Sequence, residues 1–145
     1  MNIAPAVAAD LDAIDEIERL SFPAPWPKAT FAGELERAWA RIDVGRVGDR
    51  IVAFNNYWIV TTELHVLAIA THPDQRGRGF GGQLLDFAIR QAIATGCSLA
   101  TLEVRRSNVA AIALYERAGF KTVHVRARYY QDDGEDALVM LRDLA

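Results

Sequence analysis

The sequence predicts one domain over residues 1–145, of the α/β (α+β) class, with a mixed, mostly antiparallel sheet of about seven strands flanked by about four helices. Three observations predict this class. Segments with strand-like and helix-like hydrophobic periods are interspersed along the chain. Turn signals at residues 47–50 and 132–135 each join two strand-like segments and so predict antiparallel neighbours. The chain of 145 residues, 51% of them hydrophobic, can bury one core but hardly two.

The first half of the chain predicts a strand, two helices, a hairpin and a buried strand. Asp10 is placed to cap the first helix, whose apolar residues recur at helical spacing. Three prolines between Phe22 and Pro27 then force an extended loop. The second helix carries Phe31, Leu35 and Trp39 on one side. In chain order the predicted elements are a strand at 3–6, helices at 11–20 and 31–39, a hairpin with strands at 42–44 and 51–60, and a strand at 64–71.

The second half begins with the clearest helix, at residues 83–95, which has one apolar face and ends at Gly96. A strand follows in which Ala100, Leu102 and Val104 alternate with polar residues, so that Glu103 faces the other side. Ser107 or Asn108 can cap the next helix. The remaining predicted elements are a strand at 98–105, a helix from 108 to 118, and strands at 123–130 and 137–142 joined by the second turn.

Composition excludes several classes of function. A net charge of −3 with scattered arginines argues against nucleic-acid binding, and no segment is apolar enough to cross a membrane. The first residues have no export-signal pattern, so we expect a cytoplasmic protein. The single Cys97 excludes an internal disulfide and predicts a buried structural thiol. No metal is expected, because the histidines lack the spacing of metal ligands: His65, His72 and His124.

The most informative segment is the glycine-rich loop from Arg76 to Gly82. A loop with so few side chains, opening a helix, leaves backbone N–H groups free to converge on an anion, which predicts a phosphate cradle. The loop also satisfies G-x-G-x-x-G, with Glu103 about twenty residues further on, as in dinucleotide-binding proteins. That interpretation is disfavoured, because residues 72–76 separate the strand from the glycines and the chain ends in a hairpin. A purely structural glycine turn is the other alternative.

The pattern Arg-x-x-Gly-x-Gly, filled by Arg76, Gly79 and Gly81, resembles the pyrophosphate loop of the GCN5-related N-acetyltransferases (GNAT). The order of elements is similar to that fold over essentially the whole chain. The resemblance implies acetyl-CoA as the cofactor that donates the acetyl group. It also implies that the pantetheine arm runs beside residues of the buried strand, that the pyrophosphate rests on the loop, and that one residue before the next helix contacts the cofactor. These residues are Ile69, Ala70 and Thr71, then Arg76, Gly77, Arg78, Gly79, Phe80, Gly81 and Gly82, and finally Asn108.

An amine can attack a thioester directly, so such a site needs a proton acceptor, oxyanion donors and a proton donor for the thiolate. With the resemblance, we assign the acceptor to Glu103, acting after burial or through water because a carboxyl near 4.3 is a weak base. We assign the donor to Tyr115, a phenol that stays protonated at neutral pH. On spacing alone, an exposed strand glutamate and a core tyrosine are equally good or better interpretations. The family's strand bulge implies an oxyanion-binding N–H near Ala70 or Thr71.

Within the superfamily, residues 108–120 and the tail with Tyr129, Tyr130 and 134–137 most resemble the bacterial ribosomal-protein-alanine N-acetyltransferases. This resemblance implies acetylation of the N-terminal alanine of a small-subunit ribosomal protein, with residues 22–26 as the substrate-side loop. Pro27 departs from the pattern, since relatives tend to carry a helix-capping serine there. The alternatives are acetylation of a protein lysine or a small-molecule amine, or a non-catalytic module that binds acyl-CoA.

Overall fold

Seven strands and four α-helices, with two single turns of 3₁₀-helix, make up the computed structural model, which describes residues 1–145. The strands are β1 (Asn2–Pro5), β2 (Ala40–Val47), β3 (Arg50–Val60), β4 (Glu63–Thr71), β5 (Leu99–Arg105), β6 (Lys121–Arg126) and β7 (Ala137–Asp143). The helices are α1 (Leu11–Ser21), α2 (Lys28–Glu34), α3 (Phe80–Ala94) and α4 (Val109–Arg117). The predicted fold class and number of elements are confirmed.

The strands form one sheet in the order β1-β2-β3-β4-β5-β7-β6. All neighbours are antiparallel except β4 and β5, which are joined through α3 and run parallel. The last hairpin inserts β7 between β5 and β6, which leaves β6 as an edge strand. No helix of the structure combines the length and the apolar character that crossing a membrane requires.

The parallel pair β4 and β5 is paired over only part of its length. Glu63–Val66 of β4 faces Leu99–Leu102 of β5, and beyond these residues the two strands separate. From Leu67 onward β4 is paired with β3 alone, and from Glu103 onward β5 is paired with β7 alone. We call this open region between the strands the seam, and it gives access to the middle of the sheet.

A β-bulge at Leu67 changes which side chains of β4 face each core. Tyr57 of β3 pairs with Val66 and Asn56 pairs with Ala68, so Leu67 is the extra residue. Leu64 and Val66 pack in the core formed with α3 and α4, whereas Ala68 and Ala70 pack in the core formed with α1 and α2. The resemblance implied a bulge near Ala70 or Thr71, and this is corrected, since the bulge lies three to four residues earlier.

Two predictions at the N-terminal side are wrong in detail. Asp10 precedes α1 but does not cap it: its carboxylate accepts from the Val7 N–H at 2.9 Å and from Arg46 at 2.6 Å, after a 3₁₀ turn. The second helix ends at Glu34 instead of reaching Trp39, whose exposed fraction is 48%. Its buried anchor is Phe31, and Pro27 precedes it without any side-chain cap.

Two further boundaries differ from the predictions. α3 begins at Phe80, three residues early, so the last two glycines of the loop lie in its first turn. β6 ends at Arg126, and Tyr129 and Tyr130 lie in the following loop instead of in a strand. The predicted turn at 132–135 is therefore part of a longer connection, held by carboxylates that pattern analysis could not assign to partners. Cys97 is buried, as predicted.

Candidate active site

The glycine loop opens α3 in the way the sequence predicts for an anion cradle. Gly79 is the residue before the helix and has φ +79°, a left-handed conformation that favours glycine. The first helical hydrogen bond joins the Gln83 N–H to the Gly79 carbonyl at 3.1 Å. The N–H groups of Phe80, Gly81 and Gly82 therefore have no acceptor within the helix. Three donors and the positive end of the helix dipole are available to an anion.

These residues line an open channel of about 340 Å³, which we call the glycine channel. Its walls are the end of β4, the glycine loop and the first turns of α3 and α4. Predicted cofactor-binding residues that line it are Ile69, Ala70, Thr71, Arg76, Gly77, Gly79, Phe80, Gly81, Gly82 and Asn108. Arg78 is exposed and does not line it.

The charge of the glycine channel is positive, since Arg76 and Arg117 line it and no carboxylate does. Arg76 is held in place by two hydrogen bonds, from Nε to the Thr71 carbonyl at 3.0 Å and from Nη2 to the Ser21 hydroxyl at 3.1 Å. Asn108 caps α4, because its Oδ1 accepts from the Ala111 N–H at 3.2 Å. Of the two predicted caps, the structure selects Asn108.

A second cavity, of about 530 Å³, adjoins the glycine channel at the seam. The two spaces share four lining residues: Phe22, Ile69, Asn108 and Ala111. Three carboxylates line the second cavity, which we call the carboxylate cavity: Glu18, Glu103 and Asp132. A positive channel thus opens into a space that suits a cation or an amine.

Glu103 reaches the carboxylate cavity from β5, on the face opposite to the buried Leu102 and Val104, as the alternation predicted. Its side chain is 34% exposed, and the Arg126 guanidinium lies 3.9 Å from its Oε1. The nearby Glu103 carboxylate and, to a smaller extent, burial raise the pKa of the Tyr129 hydroxyl. Glu103 is therefore open to water and not buried, so of the two routes that we considered for a base, the water-mediated one fits this position.

Tyr115 lines the same cavity from α4. Its exposed fraction is 6%, and its ring packs edge-on against Phe120 at a centroid distance of 6.0 Å. Burial, and to a smaller extent the neighbouring Tyr130, raise the pKa of Tyr115, and no hydrogen bond to a protein group contributes. The phenol is therefore firmly protonated at neutral pH and its hydroxyl remains available to a ligand. The structure brings Glu103 and Tyr115 to one cavity.

Sequence reasoning missed Arg105, which organises the wall of the carboxylate cavity. Its guanidinium lies 4.0 Å from the centre of the Tyr130 ring. It also binds three carboxylates of the β6–β7 connection, at 2.9 to 3.3 Å: Asp132, Asp133 and Glu135. Because Arg105 lies at the end of β5 beside an acidic turn, the opposite charges were the available signal.

The carboxylates of the acidic turn bind partners within the protein, which indicates a structural role for them. Glu135 accepts from the Ser107 N–H at 2.6 Å, and the side chain and backbone of Ser107 together, opposed by burial, lower the pKa of the Glu135 carboxyl. Asp136 accepts from the Arg128 N–H at 3.0 Å and binds Arg106 at 3.2 Å. These carboxylates hold the connection in place and with it the two tyrosines.

Glu18 was also missed. It lies on α1 one turn after Ile14, on the buried face of the helix, so its helical spacing was a signal. Its exposed fraction is 2%, and its Oε2 accepts from the Trp26 N–H at 3.0 Å. Glu18 therefore ties α1 to the loop of residues 22–26 on the rim of the cavity.

Side chains of His, Cys, Asp and Glu do not assemble anywhere in the structure into a group of three or more that could hold a metal ion.

Comparison with known proteins gives consistent relatives. The chain is similar to the putative [ribosomal protein bS18]-alanine N-acetyltransferase of Bacillus subtilis (strain 168), with 36% identity over 132 residues, covering 90% of this chain and 87% of the relative. It is 37% identical over 133 residues to the [ribosomal protein bS18]-alanine N-acetyltransferase of Salmonella typhimurium (strain LT2), covering 90% of this chain and 89% of that protein.

Solved structures agree with the sequence relatives. The crystal structure of the ribosomal-protein-S18-alanine N-acetyltransferase from Escherichia coli superimposes with a TM-score of 0.91 and 33% identity, covering 99% of this chain and 94% of that chain. The description of the family that matches residues 11–120 is "Acetyltransferase (GNAT) family". With the glycine channel, the seam and these relatives together, the chain belongs to the GNAT family of acetyltransferases.

Proposed function

We propose that the protein transfers the acetyl group of acetyl-CoA, the donor used by the GNAT family, to the N-terminal α-amine of a protein. We further propose that the acceptor is the N-terminal alanine of a small-subunit ribosomal protein. The observation that carries the proposal is the junction at the seam. There, a channel lined by arginines and no carboxylate meets a cavity lined by three carboxylates and one arginine, Arg105, which is paired with Asp132. An anionic donor and an amine acceptor enter from opposite sides and meet there. The names of the relatives support the choice of acceptor.

The glycine channel suits the donor in charge and in shape. We propose that its loop N–H groups and Arg76 bind the pyrophosphate, and that Ile69, Ala70, Thr71 and Asn108 contact the pantetheine arm. We include Arg78 as an outer contact to the phosphates, since its side chain is exposed beside the loop. Bound there, acetyl-CoA supplies an activated thioester.

The residues of the carboxylate cavity then divide the remaining tasks. Glu103 accepts, through water, the proton that the amine loses, and Tyr115 presents its proton to the departing sulfur. Burial raises the pKa of Tyr115, which makes it a weaker acid. Its hydroxyl therefore first donates a hydrogen bond to the sulfur, and the proton is transferred only as negative charge develops on the sulfur. Backbone N–H groups of β4 at the bulge, between Leu67 and Ile69, lie beside the seam and are our proposed oxyanion donors.

An α-amine suits this site better than a lysine does. Its ordinary pKa of about 7.7 to 8.0 leaves part of it neutral at pH 7, whereas a lysine near 10.4 is almost entirely protonated. An exposed carboxylate that acts through water is a sufficient base for an α-amine. It is a poor base for a lysine, which must first lose a more tightly held proton. This difference in basicity separates the main proposal from acetylation of lysines.

Substituting Gly79 by alanine should weaken donor binding through the backbone. A Cβ at Gly79 meets no atom within 4 Å, so the cost comes from the φ of +79° and not from a clash. We expect a loss of stability of about 1 kcal/mol and a Kd for acetyl-CoA roughly tenfold higher, about 1.4 kcal/mol, as the loop relaxes and its N–H groups turn away. Calorimetric titration measures the Kd.

The matched control for Gly79→Ala is Gly48→Ala. Gly48 has φ +62° and open space around it, but it lies in the turn between β2 and β3, away from the glycine channel. This variant should lose similar stability and keep the wild-type Kd for acetyl-CoA. If the two variants bind acetyl-CoA equally well, the loop is not the cradle of the pyrophosphate.

A panel of acceptors tests the function itself. The purified protein is incubated with acetyl-CoA and one of three acceptors: a peptide beginning with alanine, the same peptide with a blocked N-terminus and an internal lysine, or a polyamine. We expect a mass gain of one acetyl group, with release of the thiol, on the free alanine peptide. Modification of only the lysine peptide or the polyamine would instead select the corresponding alternative. Binding of CoA without thiol release for any acceptor would indicate a non-catalytic module.

A further inference from the structure

Glu18 is a buried carboxylate for which the proposed chemistry has no use. It lies in the second half of α1 with an exposed fraction of 2%. Desolvation raises the pKa of Glu18, the N–H of Trp26 opposes that rise, and the nearby Asp15 adds to it. Keeping such a group inside a protein costs free energy unless both of its oxygens have partners.

Only one of the two oxygens of Glu18 has a partner in the protein. Oε2 accepts from the Trp26 N–H at 3.0 Å, whereas Oε1 is buried and accepts a hydrogen bond from no group of the protein. Leaving one acceptor of a buried carboxylate unpaired is unfavourable, because the oxygen loses its hydration and gains no hydrogen bond in return. A group supplied from outside the chain would satisfy it.

The position of Glu18 indicates where that group would come from. Glu18 is one of the residues that line the carboxylate cavity, together with Glu103, Tyr115 and the loop residues Phe22 and Trp26. The cavity therefore has a carboxylate on the α1 side and another on the β5 side.

Cations of the protein do not neutralise the α1 side. Arg105 forms ion pairs with three carboxylates of the β6–β7 connection and not with Glu18: Asp132, Asp133 and Glu135. Arg126 lies near Glu103 at 3.9 Å, and His65, which also lines the cavity, pairs with Glu63 at 3.1 Å. A compact cation with several N–H donors, such as an α-ammonium group, matches what Glu18 lacks.

We propose that Glu18 is a positioning residue that holds the α-ammonium group of the acceptor peptide through Oε1, before the amine loses its proton toward Glu103. The proposal rests on the proposed function, since it assumes an N-terminal amine as the acceptor. It assigns to α1 the recognition of a free N-terminus and leaves the proton transfers to β5 and α4. Because Oε2 also holds the Trp26 N–H, the same carboxylate aligns the substrate-side loop with the amine.

The first test is Glu18→Gln, which keeps the shape and an acceptor oxygen for the Trp26 N–H but removes the charge. We expect the KM for an alanine peptide to rise about tenfold, while kcat and the KM for acetyl-CoA stay within about twofold. The melting temperature should not fall, because a buried amide is less costly to desolvate than a carboxylate. An unchanged peptide KM in a folded variant overturns the proposal.

The matched control is Glu16→Gln on the same helix. The side chain of Glu16 is 63% exposed, contacts His72 and lines neither the glycine channel nor the carboxylate cavity. The Glu16→Gln substitution removes the same charge two residues away from Glu18, so a general electrostatic effect on peptide binding would appear equally in both variants. We expect the wild-type peptide KM for Glu16→Gln, and an equal rise in both variants would refute specific recognition by Glu18.

A binding experiment isolates the charge. The Kd of a peptide with a free alanine is compared with the Kd of the same peptide already acetylated at its N-terminus, both in the presence of CoA. We expect the wild-type protein and Glu18→Asp to prefer the free amine, the wild type by about tenfold, and Glu18→Gln to show no preference. A preference retained by Glu18→Gln overturns the proposal.

The two proposals fail in different ways. If the wild-type protein acetylates the alanine peptide but Glu18→Gln has unchanged KM and unchanged preference for the free amine, only the role of Glu18 is wrong. If the wild-type protein acetylates no N-terminal amine, the proposed function fails, and the role of Glu18 fails with it.

Discussion

Tyr115→Phe is expected to lower kcat about 100-fold, at the lower end of the range for loss of a general acid. The KM for acetyl-CoA should stay within about twofold, because the change removes a hydroxyl and leaves the ring packed against Phe120. The protein should be no less stable than the wild type, since the structure gives that hydroxyl no protein partner whose loss would leave a buried group unpaired. Steady-state kinetics and thermal melting measure the two effects.

The proposed role of Tyr115 in protonating the leaving group can be separated from a general effect on the site. A selenium analogue of acetyl-CoA releases a selenol, which is far more acidic than a thiol and needs less help in departing. The defect of Tyr115→Phe should shrink with this donor. A defect of the same size with both donors would show that Tyr115 acts elsewhere, and wild-type kcat with acetyl-CoA would remove it from the mechanism.

Glu103→Gln is expected to lower kcat about 100-fold near pH 6.5, with the defect becoming smaller toward pH 9. Below the ordinary α-amine pKa of about 7.7 to 8.0 most of the acceptor is protonated and needs a base, whereas above it the amine is already neutral. Glutamine keeps the length and the shape of the side chain, so the geometry of the cavity should persist. The measurement is kcat against pH at saturating peptide.

Glu116→Gln is the matched control for Glu103→Gln. Glu116 follows Tyr115 on α4, is exposed, and lines neither the glycine channel nor the carboxylate cavity. The Glu116→Gln substitution removes the same charge close to the site. The kcat of this variant should stay within about twofold of the wild type at every pH. A defect in Glu103→Gln that is independent of pH would argue that the carboxylate orients the substrate and does not take its proton.

Local sequence patterns predicted much of the fold and of the candidate site. The glycines before α3, the cap at Asn108 and the alternation of β5 each depend on residues within a few positions of one another, and such signals are readable without a structure. The same alternation predicted that Glu103 points away from the core, and the resemblance to the family suggested its role as the proton acceptor. These features were predicted because their physical causes are local.

Other features depend on partners far away in the chain. Alternation alone would put Leu64, Val66, Ala68 and Ala70 on one face of β4, and only the register against β3 reveals the bulge at Leu67 that divides them. The helix spacing of Glu18 signalled burial but not the Trp26 N–H that it binds eight residues later. The insertion of β7 between β5 and β6 likewise depends on pairing between strands that are distant in the chain and not on any single segment.

The separation of β4 from β5 leaves main-chain groups of β5, at residues 103–105, that are paired only on the side of β7, across the seam from the part of β4 that we propose for acetyl-CoA. An extended peptide can form main-chain hydrogen bonds with such groups as a neighbouring strand does, whatever side chains it carries. The part of the affinity that comes from main-chain hydrogen bonds depends little on the sequence of the peptide. If the acceptor is a protein N-terminus, as we propose, discrimination among termini comes from the small volume that surrounds the first residue. We then expect the enzyme to be strict about that residue and permissive about those that follow it.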